Sequence, residues 1–109
     1  MKRHVFLMFI SEPFKGKSRF YVTETPLLVG RSAQSNIKID NDNFCSREHA
    51  LLFWENDKFM IRDLDSTNGT FVNNKLIREP TILEQGDIVK VGNTEFILST
   101  KNIKKNKSE

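Results

Sequence analysis

Three short groups of residues hold the chemistry open to this chain. Gly30-Arg31 closes one apolar stretch, Ser46-Arg47-Glu48-His49 opens another, and Ser66-Thr67-Asn68-Gly69-Thr70 joins two more. Between them they combine guanidinium groups, hydroxyls, an amide and glycine. Those are the means of holding a phosphate. A guanidinium supplies charge and a planar fork of donors, hydroxyls supply neutral donors, and glycine lets backbone N–H groups approach the anion. Singly each group is ordinary, since Gly-Arg is a common turn and Asn-Gly a stock hairpin dipeptide. Their order and spacing together point to a phosphate site.

The enzyme readings fail on spacing. Gly16-Lys17-Ser18 imitates the end of a phosphate-binding P-loop, but the glycine required five residues earlier is Ser11, and Pro13 spoils the flanking strand and helix. A surface turn is the reading there. Cys45 and His49 are four apart, which does not stack them on one face of a β-chain, and no third group orients them. Ser46 with His49 and Asp63 meets the same objection. The chain is therefore expected not to be an enzyme. One cysteine excludes an internal disulfide framework, and with only His4 and His49 beside it, it excludes the common zinc patterns. No metal and no cofactor is expected. A lone cysteine also suits a reducing, intracellular compartment, nuclear or cytoplasmic.

The elements that must position these groups are short and apolar. Val5–Ile10, Arg19–Thr23, Leu27–Val29, Ile37–Ile39, His49–Trp54, Phe59–Leu64, Thr70–Val72, Lys75–Ile77, Ile88–Val91 and Glu95–Leu98 read as strands, rich in Val, Ile, Phe and Leu. Turn chemistry separates them at Glu55-Asn56-Asp57, Asn73-Asn74, Glu84-Gln85-Gly86-Asp87 and Gly92-Asn93. Alternation puts Phe59 and Ile61 on one face, and Val89 and Val91 opposite Lys90. No stretch of a dozen residues has a helical period. Many short strands with regular turns make an all-β sandwich or barrel.

The chain's 109 residues, 38% hydrophobic and 28% charged, are one domain's worth, with enough apolar content for a core. The longest apolar run, Val5 to Ile10, is far short of the roughly 20 residues that span a bilayer, and Glu12 and Pro13 argue against a signal peptide. Neither membrane insertion nor a leader is expected. The formal charge is +3, but four lysines and one glutamate in residues 101–109 account for all of it. The body, residues 1–100, is neutral, which does not support a nucleic-acid-binding surface. The tail holds one apolar residue, Ile103, and is expected to be disordered and dispensable for recognition.

From Leu27 to Leu98 the sequence resembles a forkhead-associated (FHA) domain. Four landmarks stand in the family's order: Gly30-Arg31, Ser46-Arg47-Glu48-His49, the run from Asp63 to Asn73, and the run from Leu83 to Gly92. The third is nearly the family's signature letter for letter. The resemblance implies a β-sandwich of about eleven strands that binds phosphothreonine in a short extended segment of a partner protein, without cofactor or catalysis. It implies that Arg31, Ser46 and Thr67 hold the phosphate, with Arg47 near the phosphate or the peptide backbone. Asn68 falls where the family hydrogen-bonds the peptide main chain just after the phosphothreonine. Gly30, His49, Gly69 and Asn73 fall where the family shapes its loops, His49 as a buried brace.

The sequence departs from some members at Phe44. A basic residue there selects an acidic side chain three residues after the phosphothreonine, and Phe44 cannot. Either Phe44 offers an apolar surface that favours an aliphatic or aromatic residue at that position, or it turns inward and joins the core. The alternative function is an FHA-like sandwich that assembles with a partner or with itself, without phosphate. Intact Arg31, Ser46 and Thr67 argue against that reading. The expected state is a monomeric module, alone or within a longer protein.

Overall fold

The computed structural model describes residues 4–11 and 19–101. Within them the chain forms eleven strands: β1 (His4–Phe9), β2 (Arg19–Val22), β3 (Leu27–Gly30), β4 (Ile37–Lys38), β5 (Ala50–Glu55), β6 (Lys58–Asp63), β7 (Thr70–Val72), β8 (Lys75–Leu76), β9 (Thr81–Ile82), β10 (Ile88–Val91) and β11 (Thr94–Lys101). No helix occurs among the described residues, and so none that could cross a membrane. The expectations for Gly16–Ser18 and for residues 102–109 lie outside the described residues.

The strands form two sheets, ordered β2-β1-β11-β10-β7-β8 and β4-β3-β5-β6-β9. Pairing is antiparallel except between β3 and β4, which run parallel over two residues, Val29 opposite Ile37 and Gly30 opposite Lys38. The sandwich expected from the sequence is thus present, and ten of its strands fall where the apolar stretches placed them. The eleventh, β9, was not foreseen. It pairs with β6 through Thr81 and Ile82 alone and follows directly on Pro80, so it has no alternation to read.

The hairpins follow from their turn residues. Asn56 and Asp57 both have positive φ, 52° and 64°, as do Asn73 and Asn74, 51° and 69°. Each pair joins strands in direct register, Glu55 with Lys58 and Val72 with Lys75. Two consecutive left-handed residues give the turn whose twist matches that of the strands.

The core lies between the sheets. Leu7, Val89, Val91, Phe96 and Leu98 from the first sheet meet Val29, Ile37, Leu52, Phe59 and Ile61 from the second, all buried. Phe59 and Ile61 do face inward together, and Val89 and Val91 are fully enclosed. Phe9 and Phe96 meet edge to face with centroids 6.2 Å apart, a favoured aromatic geometry. At about 25 cal/mol per Å² of apolar surface removed from water, this core is the main source of stability. It frees the loops to specialise.

Candidate functional site

The three groups belong to three loops: residues 31–36 between β3 and β4, 39–49 between β4 and β5, and 64–69 between β6 and β7. Two backbone bonds lash the first to the second. Arg31 N–H donates to the Ser46 carbonyl at 3.1 Å, and Ser32 N–H to the Arg47 carbonyl at 3.0 Å. Gly30 makes this approach feasible. A Cβ there would collide with the Arg47 carbonyl oxygen and lie 2.8 Å from its carbon.

The third loop joins through side chains. Thr67 N–H donates to Ser46 Oγ at 3.0 Å, and Asn68 Nδ2 donates to the Phe44 carbonyl at 2.9 Å. His49, fully buried, ties the same two loops from beneath. Ser46 N–H donates to His49 Nδ1 at 2.9 Å, and His49 Nε2 lies 2.8 Å from the Gly69 carbonyl. A backbone N–H can only donate and a carbonyl can only accept. The ring proton therefore sits on Nε2, and Nδ1 is the acceptor.

Arg31, Ser46 and Thr67 thus stand on one cluster of loops, drawn together from positions 36 residues apart in the chain. Arg31 is half-buried, and its Nε donates to the Cys45 carbonyl. That bond fixes the plane of the guanidinium and leaves its terminal N–H groups without a partner among the described residues. Ser46 Oγ already accepts one hydrogen bond, so its own proton is available for a further acceptor. Thr67 is exposed, and no described residue holds its hydroxyl. Arg47 is exposed as well, its main chain engaged and its side chain without a partner among the described residues. Guanidinium and hydroxyl donors therefore stand on one cluster of loops with no acidic partner among the described residues, an arrangement fit for an oxyanion.

Phe44 points outward, 57% exposed, while its neighbour Cys45 is fully enclosed. The alternative in which Phe44 joins the core does not hold. Burial pushes the Cys45 thiol up to about 12, with Asp42 adding to the effect and Arg31 opposing it. So high a value leaves no thiolate nucleophile at neutral pH.

Asn73 stands apart from these loops. Its Nδ2 donates to Asp87 Oδ1, and Ile88 N–H donates to its Oδ1. It shapes the β7–β8 turn, at the other end of β7 from the third loop.

Two carboxylates that the sequence reading gave no role do much of the positioning. Asp63 Oδ1 accepts from the Ser66 hydroxyl at 2.5 Å and the Thr70 hydroxyl at 2.6 Å, and Oδ2 accepts from Ser66 N–H at 3.0 Å. Ser66 Oγ then accepts from Gly69 N–H at 2.9 Å. This network sets the curl of the third loop. The signal for it was local, Asp-x-x-Ser with Thr seven residues on. Asp42 is buried and braces the second loop against the β10–β11 turn, accepting from Phe44, Asn93 and Thr94. Its partners in the turn are 51 and 52 residues away, so no spacing could reveal it.

Burial pushes the Asp63 carboxyl upward, but the donors from Ser66 and Thr70 outweigh burial and hold it below its ordinary value of 3.8. A folded value below the unfolded one means that the stabilisation is complete above pH 3.8 and lost as pH falls through the folded value. Asp63→Asn is expected to cost about 2 kcal/mol at neutral pH, the scale of hydrogen bonds to a charged group. Urea melts from pH 7 to pH 2 should show wild type and variant converging below about pH 3.8. A gap of unchanged size from pH 7 to pH 2 would mean that the loop does not depend on this charge.

A family model described as FHA domain matches residues 27–92. The chain belongs to the FHA domain family. The glycogen accumulation regulator GarA of Mycobacterium tuberculosis is 35% identical over 83 residues, covering 76% of this chain and 50% of GarA. Among solved FHA domains, that of FhaA complexed with the intracellular domain of Rv3910 superposes with a TM-score of 0.76 at 29% identity, covering 86% of this chain and 98% of that one. An FHA domain structure from work on phosphothreonine-dependent interactions gives 0.79 at 26% identity, covering 90% and 97%. The chain spans about half the length of GarA. The match to the FHA model runs from β3 to the glycine after β10, and so takes in all three site loops.

Proposed function

We propose that this FHA domain binds a short extended peptide carrying phosphothreonine, and so joins its parent protein to a threonine-phosphorylated partner. The observation that carries the reading is the convergence of Arg31, Ser46 and Thr67, with the Ser46 hydroxyl bonded to the Thr67 main chain and the guanidinium fixed by the Cys45 carbonyl. Arg31 grips the phosphate through its terminal N–H groups. Ser46 and Thr67 donate hydroxyls to the same oxygens. Arg47 extends the positive surface toward the phosphate or the peptide backbone. Asn68, whose Nδ2 is spent on Phe44, keeps its Oδ1 for a peptide N–H just beyond the phosphothreonine.

A phosphothreonine brings −1.5 to −2 charges and strong acceptors, and an unmodified threonine brings neither. Two arginines on a neutral body suit one local dianion better than the extended charge of a nucleic acid. The module acts by binding, without catalysis or cofactor, as a monomer within the cell. The 101–109 tail takes no part.

Phe44 supplies the selectivity. An extended peptide advances about 3.3 Å per residue, so the third residue after the phosphothreonine lies about 10 Å from the phosphate. The exposed ring there favours an aliphatic side chain. Covering about 40 Å² of apolar surface at about 25 cal/mol per Å² gives about 1 kcal/mol, a fivefold preference. The test is calorimetric titration with three matched peptides: phosphothreonine with leucine at the third following position, phosphothreonine with aspartate there, and unmodified threonine with leucine. The leucine phosphopeptide should bind tightest and the unmodified peptide should not bind measurably. Equal binding of modified and unmodified peptides would favour the phosphate-free assembly reading instead.

A further inference from the structure

Asp42 carries a buried carboxylate outside the phosphate cluster, and its two oxygens serve different sheets. Oδ1 accepts from Phe44 N–H at 3.0 Å, two residues along its own loop. Oδ2 accepts from Asn93 N–H at 2.6 Å and from the Thr94 hydroxyl at 2.8 Å, both in the β10–β11 turn of the other sheet. The Asp42 carbonyl also accepts from Cys45 N–H at 3.1 Å. The loop between Asp42 and Ser46 is thereby pinned at three points. The pinning sets an alternation: Cys45 is driven inward and Phe44 outward. Gly92 completes the fit. Its φ is +62°, and a Cβ there would lie 2.6 Å from Asp42 Oδ2 and 2.7 Å from Cys45 N. The turn approaches the carboxylate so closely only because residue 92 has no side chain.

We infer that Asp42 is a positioning residue for peptide selectivity, clamping the Phe44 loop to the Gly92-Asn93 turn so that the turn governs the choice of side chain three residues after the phosphothreonine. This rests on the phosphopeptide reading above. The effect reaches Phe44 through main-chain bonds, with no need for Asp42, Gly92 or Thr94 to touch the peptide. The phosphate-gripping loops keep their own ties, since the bonds of Arg31 and Ser32 to the Ser46 and Arg47 carbonyls, and both His49 bonds, bypass Asp42. Phosphate binding leans on the clamped segment only through the Cys45 and Phe44 carbonyls, which accept from the Arg31 and Asn68 side chains, so loss of the clamp should lower side-chain selectivity further than phosphate affinity.

The test uses Asp42→Asn and Gly92→Ala, singly and combined. Asparagine keeps the shape but replaces one oxygen with an NH2 group, which must face either the Phe44 N–H or the two donors of the turn. Alanine at 92 displaces the same carboxylate from the other side. Each variant is titrated with the leucine and aspartate phosphopeptides, with the competent fraction taken from the stoichiometry. In each single variant the leucine preference should fall from about fivefold to under twofold, while affinity for a phosphopeptide with alanine at that position changes less than about threefold. The double variant should lose no more preference than either single one, because both break the same clamp. Thr94→Val removes one of the two donors of the turn and should lose part of the preference. It is the gentler variant if the others do not fold. A folded Asp42→Asn or Thr94→Val protein that keeps the full preference overturns the inference, and so does a wild type that binds phosphopeptides without any preference. A wild type that ignores phosphorylation overturns the functional reading instead.

Discussion

Arg31→Ala is expected to weaken phosphothreonine-peptide binding by about 30- to 150-fold while leaving the protein folded. The range is what one lost charge-assisted contact of about 2–3 kcal/mol gives. The fold should survive because the main chain of residue 31 keeps its bond to the Ser46 carbonyl whatever the side chain. What the protein itself loses is the Nε bond to the Cys45 carbonyl. One such half-exposed bond is worth about 1 kcal/mol, or about 4–8 °C in melting temperature for a domain near this size. Arg31→Lys separates charge from geometry. It keeps the cation but loses the fork and the Nε tether, and should recover only part of the affinity. Titration and thermal melts of both variants check this. A folded Arg31→Ala protein that binds as well as wild type would place the phosphate elsewhere.

The parts of this fold that were legible in the sequence are those fixed locally. The Asn56-Asp57 and Asn73-Asn74 turns announced their hairpins because the positive φ they need is a property of those residues. Strand faces followed from alternation, as at Phe59, Ile61, Val89 and Val91. What could not be read is what depends on distant pairing. The parallel match of β3 with β4 covers two residues, β9 covers two, and neither carries a pattern. β11 continues to Lys101, one residue beyond the point where composition alone separates body from tail, because its partner strand β1 continues too.

The site divides along the same line. Arg31, Ser46, Thr67, Asn68 and His49 were marked by residue type and by the family resemblance, and all five belong to one loop cluster in the structure. Asp42 was not marked, because an aspartate in a polar loop is unremarkable until its partners 51 and 52 residues on come beside it. Phe44 was ambiguous, since an aromatic residue next to a cysteine could point either way. The outcome was decided by tertiary ties, the enclosure of Cys45 and the clamp on the Phe44 main chain.

Glycine offers the sharpest contrast between local and tertiary demands. From sequence, the Asn68-Gly69 pair asks for positive φ, and the φ of Gly69 is indeed +88°. In the structure, Gly30 is nevertheless the costlier of the two to replace. A Cβ at Gly69 would lie 2.5 Å from Leu76 Cδ1, the tip of an exposed side chain that can swing aside. What remains is the left-handed penalty, about 1–2 kcal/mol. For a Cβ at Gly30 the three nearest atoms are all main chain: the Arg47 carbonyl and the Ser46 carbonyl oxygen. No rotamer relieves that, so β3 must part from residues 46–47, and the Arg31 and Ser32 bonds break with it. Gly30→Ala should therefore cost at least about 3 kcal/mol, the upper end for overpacking, and lower the melting temperature by about 12–24 °C. Gly69→Ala should lower it by about 4–16 °C. Binding should follow the same order, because Gly30→Ala moves Arg31 and Ser46 apart and so disrupts two of the three proposed phosphate donors at once. Melts and phosphopeptide titrations of the two variants side by side decide it. A Gly30→Ala protein that melts above Gly69→Ala would mean that the first two loops are not held together by this contact.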